Sequence, residues 1–169
     1  MRNIDELLRS LSGMTRAINT AGQLTAVDVG RLVTQTVTDL APLHAQHHVT
    51  TDAPEGMVLD IEPVATRQIL TNLLGNAVKF TAAGTSIEVT LRCGDGRCEV
   101  RVADHGPGVP PAREDELFGR FSRLGATARG LGLGLHLSRE LARRQGGDLV
   151  HERTPGGGAT FVVVLGGGA

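Results

Sequence analysis

Tryptophan and tyrosine are absent from the 169-residue chain, and phenylalanine occurs only four times. Its interior must therefore be built from Val, Leu, Ile and Ala, and there is no aromatic platform interleaved with basic residues on which nucleic-acid bases could stack. An excess of either charge is lacking as well. Seventeen basic against eighteen acidic residues leave a net charge of −1, which gives no electrostatic reason to expect nucleic acid or an anionic membrane as partner. No apolar stretch approaches the roughly 18 residues of a membrane span. The opening residues, MRNIDELLRS, lack the apolar centre of a secretory signal. The expectation is a cytoplasmic protein without a membrane segment. Cysteine is scarce: Cys93 and Cys98 stand in LRCGDGRCEV, around an Asp95-Gly96 turn. In that hairpin they face each other, so a disulfide is sterically open, but a cytoplasmic setting favours a reduced pair. Two cysteines without further ligands do not make a zinc site.

The length fits one domain with a short attached arm. Ile4, Leu7, Leu8, Leu11, Met14 and Ile18 recur at steps of three and four, which predicts an amphipathic helix over about residues 3 to 19. TAGQL breaks it, and Asp28 then suits the cap of a helix through Val29, Leu32, Val33, Val37 and Leu40, ending or kinking by Pro42. Two short strands, HHVTTD and MVLDI, flank Ala53-Pro54-Glu55-Gly56, and Pro63 opens a long helix to Phe80. SIEVTLRC and RCEVRVAD alternate as strands, with Arg92 opposite Glu99 and with Ile87, Val89, Leu91, Cys93, Cys98, Val100 and Val102 inward. A loop-rich stretch to Gly130, a helix from about Leu133 to Gln145 and a hairpin of GDLVHERT with GATFVVVL complete the chain. Two strands, helix, two strands, helix, two strands predict an α/β fold: a two-layer sandwich of one mixed β-sheet covered on one face by helices. Residues 1 to 24 form the arm and residues 25 to 169 the domain.

Three features stand out on this frame. In RQILTNLLGNAVKFT, Asn72, Asn76 and Lys79 form a polar stripe along the border of an apolar helix face. Asn is a weak helix former, so a merely solvated face would be better served by Glu or Gln. An amide oxygen there can ligate a hard cation while Lys79 meets phosphates that share it. Second, the inward parity of RCEVRVAD carries through to Asp104, aiming a carboxylate at the core side. Asp104 is either a strand-ending residue in an Asx-turn or an acceptor for an exocyclic amine such as that of adenine, with Gly106 and Gly108 leaving room for the purine. Third, Gly130, Gly132 and Gly134 alternate with Leu131, Leu133 and Leu135 just before a helix, a costly exposure of backbone at about 0.5–1 kcal/mol per glycine relative to alanine.

In order and spacing these segments resemble the signature boxes of sensor histidine kinases. Gln68 to Thr81 resembles the N box, Asp104-His105-Gly106-Pro107-Gly108 the G1 box, Leu117-Phe118-Gly119-Arg120-Phe121 the F box, and Gly130 to Leu137 the G2 box, together spanning about residues 25 to 165. The resemblance implies a Bergerat-type sandwich of the GHKL superfamily with ATP and Mg²⁺ as cofactors. It implies Asn76 as the Mg²⁺ ligand, Asn72 and Lys79 on the phosphate side, Asp104 on the adenine amine, and Gly106 and Gly108 around the purine. It also implies a mobile lid from about Ser122 to Arg129, anchored by Phe118 and Phe121, with Arg120 or Arg123 reaching the phosphates. Phe118 and Phe121 equally suit two core aromatics on one helical turn. Gly130, Gly132 and Gly134 then become a phosphate cradle, where a helix start offers N–H groups and the positive end of its dipole. One departure is Ala159, where the family usually carries Ser or Thr two residues before its Phe. Thr160 is the nearest hydroxyl to Phe161, which bears on any water-mediated contact to adenine.

Related ATPases place a Glu one turn before the metal-binding Asn. Here that position is Asn72, which cannot serve as a carboxylate base, so the chain is expected to hold ATP rather than hydrolyse it quickly. The family's phosphoacceptor motif, like His-Glu-Leu-Arg, surrounds none of His44, His47, His48, His105, His136 or His151. The first helix resembles the end of a second dimerisation helix. The chain is thus either an excised piece or a natural half-kinase, and the start at Met1 inclines the reading to the latter. Its implied partner is a histidine-bearing dimerisation and phosphotransfer domain, in cis or in trans, and indirectly a response regulator. An anti-sigma-factor-type serine kinase that sequesters a transcription factor is the alternative. A dinucleotide-binding module fails because its glycines would follow an early strand.

Overall fold

The structure, a computed structural model, describes residues 22–119 and 133–166. The expected first helix, the expected lid segment, and Arg120, Phe121, Arg123, Gly130 and Gly132 lie outside the described residues. The domain begins with β1 (Thr25–Asp28) and α1 (Val29–Asp39). Asp28 is the cap the sequence predicts: its Oδ1 accepts from the Arg31 N–H at 3.0 Å and its Oδ2 from the Gly56 N–H at 2.9 Å. One carboxylate thus starts a helix and fixes the turn at residues 53–57 against it. Gly30 permits the fit, since a Cβ there would lie 2.1 Å from the Pro54 carbonyl oxygen.

The long helix α2 (Pro63–Phe80) opens with Pro63 in its first turn and buries Ala65, Ile69, Leu70, Leu73, Leu74 and Ala77. Behind it stands a five-stranded sheet in the order β2-β4-β5-β7-β6. Here β2 (His48–Asp52) runs parallel to β4 (Ser86–Gly94), while β5 (Arg97–Asp104), β7 (Ala159–Gly166) and β6 (Asp148–Arg153) pair antiparallel. The third helix, α3 (Gly134–Arg144), packs on α2 and β6. Apolar residues of the three described helices and of the inward sheet face join in one core. The opposite sheet face is polar, with Arg101 paired to Glu99 and Glu152, and Arg92 to Asp52. This is the mixed α/β two-layer sandwich expected from the sequence.

Two expectations need correction. The strand β3 (Val58–Ile61) does not join the main sheet; it pairs antiparallel with β1 in a separate two-stranded sheet, Thr25 opposite Ile61 and Asp28 opposite Val58. TAVD is too short to show alternation, so the sequence reading passed over the strand that claims β3. Cys93 and Cys98 form a disulfide instead of the expected reduced pair. The hairpin register is the expected one and sets their Cα atoms 4.1 Å apart, so local geometry prevails over the argument from compartment.

The two helices that will frame the site are tied at their far ends. Glu62, just before α2 and 5 % exposed, receives Arg144 through Nη2 at 2.6 Å and Nε at 3.1 Å. Next to it, Gln145 Oε1 accepts from the Glu62 N–H at 2.9 Å and the Thr66 hydroxyl at 3.2 Å. On the β6 side, Arg139 donates to both oxygens of Asp148 at 2.8 and 3.2 Å, and Arg143 to one at 3.1 Å.

These contacts generate two predictions. The Arg139 guanidinium holds the Asp148 carboxyl far below the usual carboxylate range, so the native state binds that proton less readily than the unfolded chain. Its contribution is complete above the unfolded value of about 4 and fades as pH falls below it. Denaturant titrations across pH should show a shallower acid limb for Asp148→Asn. Second, Gly75 lies mid-helix in α2 with nothing within 4 Å of a Cβ. Gly75→Ala should raise stability by about 0.5–1 kcal/mol, and Gly30→Ala should lower it by about 1–3 kcal/mol, both read from chemical denaturation.

Candidate functional site

At the C-terminal end of β5 the chain turns beneath α2, and a cavity of about 270 Å³ opens between the two. Asn76 and Phe80 of α2 form one wall, Ala159 and Phe161 of β7 the floor, and Leu135 of α3 one end. Pro107, Gly108, Val109 and Pro110 close the remaining side, and Asp104 sits among these mostly apolar groups.

Asp104 is 6 % exposed, and its Oδ1 accepts from the Gly106 N–H at 2.9 Å and the Ala159 N–H at 3.2 Å. Two backbone donors offset the desolvation of the carboxylate. Oδ1 makes the Asx-turn, one of the two alternatives from the sequence, and among the described residues nothing hydrogen-bonds Oδ2, so the turn does not preclude the other. The glycines work differently from expectation. A Cβ at Gly106 would lie 2.7 Å from the Phe80 carbonyl oxygen, and one at Gly108, where φ is +71°, 2.9 Å from that of Gly158. They shape the cavity by letting three backbone segments close up, rather than by leaving empty room for a ring. Gly158 completes the knot, since a Cβ there would lie 2.0 Å from the Asp104 carbonyl oxygen.

The polar stripe on α2 divides into three different environments. Asn76 faces the cavity, and none of the described residues hydrogen-bonds its amide. An amide oxygen on an otherwise apolar wall is a hard donor, so the residues present fit a magnesium ion shared with phosphate oxygens. Lys79 is exposed, its Nζ 4.9 Å from the centroid of the Phe80 ring. Asn72 donates through Nδ2 to the buried Ser138 hydroxyl of α3 at 2.9 Å. Its Oδ1 stands against the first residue of that helix, 2.3 Å from where a Cβ on Gly134 would be. Among the described residues no side chain caps the start of α3, whose N-cap position is Leu133. Gly134 thus lies beside the stripe.

Phe118 is half-buried against the core, with its ring 4.6 Å from the Arg139 guanidinium and its carbonyl oxygen 2.9 Å from His136 Nδ1. Packing is its visible role, and it is not among the cavity's lining residues. Thr160, the hydroxyl nearest Phe161 in sequence, points to the other sheet face, its hydroxyl 2.9 Å from that of Thr154, while its neighbours Ala159 and Phe161 face the cavity. His105, expected to be solvated, meets Glu88 at 3.1 Å on the surface. His151 packs on Phe161 with the rings tilted by 51° and their centroids 5.4 Å apart, and burial pushes its pKa down.

Several lining residues escaped the sequence reading. Phe80 lies one turn beyond Asn76, so extending the stripe by four residues would have found it. Val109 and Pro110 follow the two-glycine turn directly, but loop residues carry no periodicity to expose them. Ser138, which bonds Asn72 but does not line the cavity, lies one turn beyond Gly134 and reads as an ordinary helix residue.

An apolar pocket with one buried carboxylate, an amide stripe and an uncapped helix start defines a nucleotide-binding α/β sandwich. Residues 61–167 match the family described as histidine kinase-, DNA gyrase B- and HSP90-like ATPase, and the chain belongs to it. Among curated relatives, the sensor protein KdpD of Rathayibacter rathayi is 40% identical over 82% of this chain and 16% of its own length. The signal transduction histidine-protein kinase AfsQ2 of Streptomyces coelicolor is 33% identical over 97% of this chain and 31% of its own length. The chain thus spans less than a third of the length of these relatives. Among solved structures, the ATP-binding domain of PrrB from Mycobacterium tuberculosis superposes with a TM-score of 0.71 at 26% identity, covering 87% of this chain and 99% of that one. Full-length ShkA in complex with AMPPNP gives 0.71 at 27% identity, covering 97% of this chain and 36% of that one. Among the described residues no helix is long and apolar enough to cross a membrane.

The knot around Asp104 gives a direct prediction. Gly158→Ala forces a methyl into the Asp104 carbonyl at a residue with φ of +116°. Thermal denaturation should show a loss of about 1–3 kcal/mol, and nucleotide binding should weaken with it.

Proposed function

We propose that the chain is the ATP-binding catalytic domain of a two-component sensor histidine kinase working in the cytoplasm. It binds ATP with Mg²⁺ in the cavity and transfers the γ-phosphoryl group to a histidine supplied by another domain or a partner protein. The observation that carries this reading is Asp104, whose Oδ1 is held by two N–H donors while its Oδ2 is left for an amine at the wall of an apolar, ring-sized cavity. Adenine presents such an amine, and the apolar side chains of Phe80, Val109, Leu135 and Phe161 suit its faces and edges.

The other roles follow the same axis from base to phosphate. Asn76 would hold Mg²⁺, which when bound neutralises charge on the phosphates. Lys79 at the exposed end of the stripe and Asn72 at the start of α3 serve the phosphate side, with Arg123, Gly130 and Gly132 assigned there from the sequence alone. Phosphoryl transfer asks the protein chiefly for positioning and electrostatic stabilisation. The attacking imidazole nitrogen forms the N–P bond as the bond from the γ-phosphorus to the β–γ bridging oxygen breaks, and ADP departs. Asn72 offers no carboxylate base for water, which favours retention of ATP until a histidine arrives. The relatives KdpD, AfsQ2, DivJ and AruS are named as histidine kinases or sensor proteins, which favours histidine over serine as acceptor. The acceptor domain in turn implies a response regulator as the next recipient.

Incubated with labelled ATP and Mg²⁺, the chain alone should acquire no label. Addition of a histidine-bearing dimerisation domain should yield an acid-labile phosphoryl product on that domain. Label on the chain itself, or an acid-stable phosphoserine on a partner, would overturn the assignment.

A further inference from the structure

Asn72 and Ser138 are 66 positions apart in sequence, on different helices, yet they share a hydrogen bond at the phosphate end of the site. Ser138 is 3 % exposed, so its hydroxyl has no bulk water to turn to, and Asn72 Nδ2 donates to it at 2.9 Å. An Asn side chain is nearly symmetric in shape but opposite in chemistry at its two ends: Nδ2 only donates, and Oδ1 only accepts. With Nδ2 on the Ser138 hydroxyl, Oδ1 is the end left over. The remaining Oδ1 lies against Gly134, where a Cβ would stand 2.3 Å from Oδ1 and 3.0 Å from Nδ2. The amide is therefore held by Ser138 on one side, and on the other it occupies the space that a side chain at Gly134 would fill.

We propose that Ser138 is a positioning residue: by accepting the Asn72 Nδ2 hydrogen bond it presents the Asn72 amide oxygen, rather than its NH₂, to the phosphate end of the nucleotide site. An exposed NH₂ there would donate to phosphate oxygens directly. A presented oxygen instead favours hydrated Mg²⁺, through acceptance from water or direct ligation, and disfavours bare phosphate oxygens. Ser138 thus biases the site toward the magnesium complex of the nucleotide over the free nucleotide. The inference rests on the nucleotide-binding reading above and adds a residue that touches no nucleotide in that reading.

The test is ATP binding by calorimetry in Mg²⁺ and in EDTA, with wild type, Ser138→Ala, Ser138→Thr, Asn72→Ala and the Asn72→Ala/Ser138→Ala double variant. Ser138→Ala should lower affinity in Mg²⁺ by about three- to tenfold, the loss of one hydrogen bond, and leave affinity in EDTA unchanged or higher. Ser138→Thr, which keeps the hydroxyl, should retain most of the wild-type behaviour, and Ser138→Ala should add nothing in the Asn72→Ala background. In the nucleotide-free wild type, the Asn72 side-chain NH₂ should give a nuclear magnetic resonance signal with slowed hydrogen exchange, a readout that needs no folded variant. Equal losses in Mg²⁺ and EDTA, additive losses in the double variant, or an unprotected Asn72 NH₂ would each overturn the proposal. Asp104→Asn serves as the control: if it leaves ATP binding unchanged, the nucleotide-binding reading itself fails. If it weakens binding while Ser138→Ala does not, only the role of Ser138 fails.

Discussion

The carboxylate of Asp104 is the constraint on which the site depends, because three separate segments meet at it. Its Oδ1 draws in the Gly106 N–H from the turn that follows β5 and the Ala159 N–H from the first residue of β7. The approach works only because Gly106, Gly108 and Gly158 lack side chains where the Phe80, Gly158 and Asp104 carbonyl oxygens come closest. A buried carboxylate is costly unless donors meet it, and here the donors that meet it are also those that bring the walls together. Loss of the charge would loosen the turn and the edge of β7 together. The site and the fold are not separable at this point.

From that knot the organisation runs outward along two helices. α2 carries Asn76 and Phe80 on the cavity wall, and α3 brings Leu135 to one end and Ser138 to Asn72. Their opposite ends are joined through Glu62 with Arg144, and through Gln145 with the Glu62 N–H and Thr66. A pair of helices fastened at both ends behaves as a unit, and the Arg139–Asp148 contact fastens that unit to β6. Glu62 is buried while Arg144 is exposed, so removing Arg144 would strip a buried carboxylate of its guanidinium, a costlier change than the loss of an exposed ion pair. The polar groups placed between apolar layers therefore fix how the layers sit relative to one another.

Much of this was legible in the sequence where a period or a cap stood behind it. The cap at Asp28, the start at Pro63, the register of Arg92 with Glu99 and the inward parity ending on Asp104 all follow from spacing alone. What was not legible depends on tertiary company. TAVD has no pattern of its own and becomes a strand only because Val58 to Ile61 lies beside it. Thr160 and Ala159 are neighbours whose facing is decided by the register of β7 against β5, which turns Thr160 toward Thr154 and away from the cavity. Ser138 is silent in sequence because its meaning lies in a residue on another helix. The Cys93–Cys98 bond shows geometry overriding an expectation drawn from compartment.

The central claim is that Asp104 reads an exocyclic amine in an adenine-sized cavity. The most direct measurement compares binding of ATP with that of the purine riboside triphosphate lacking the 6-amino group, for wild type and Asp104→Asn. A charge-assisted hydrogen bond of about 1.5–3 kcal/mol predicts that wild type prefers ATP by about tenfold or more, and that Asp104→Asn loses most of this preference. Equal affinity of the wild type for the two nucleotides would contradict the account.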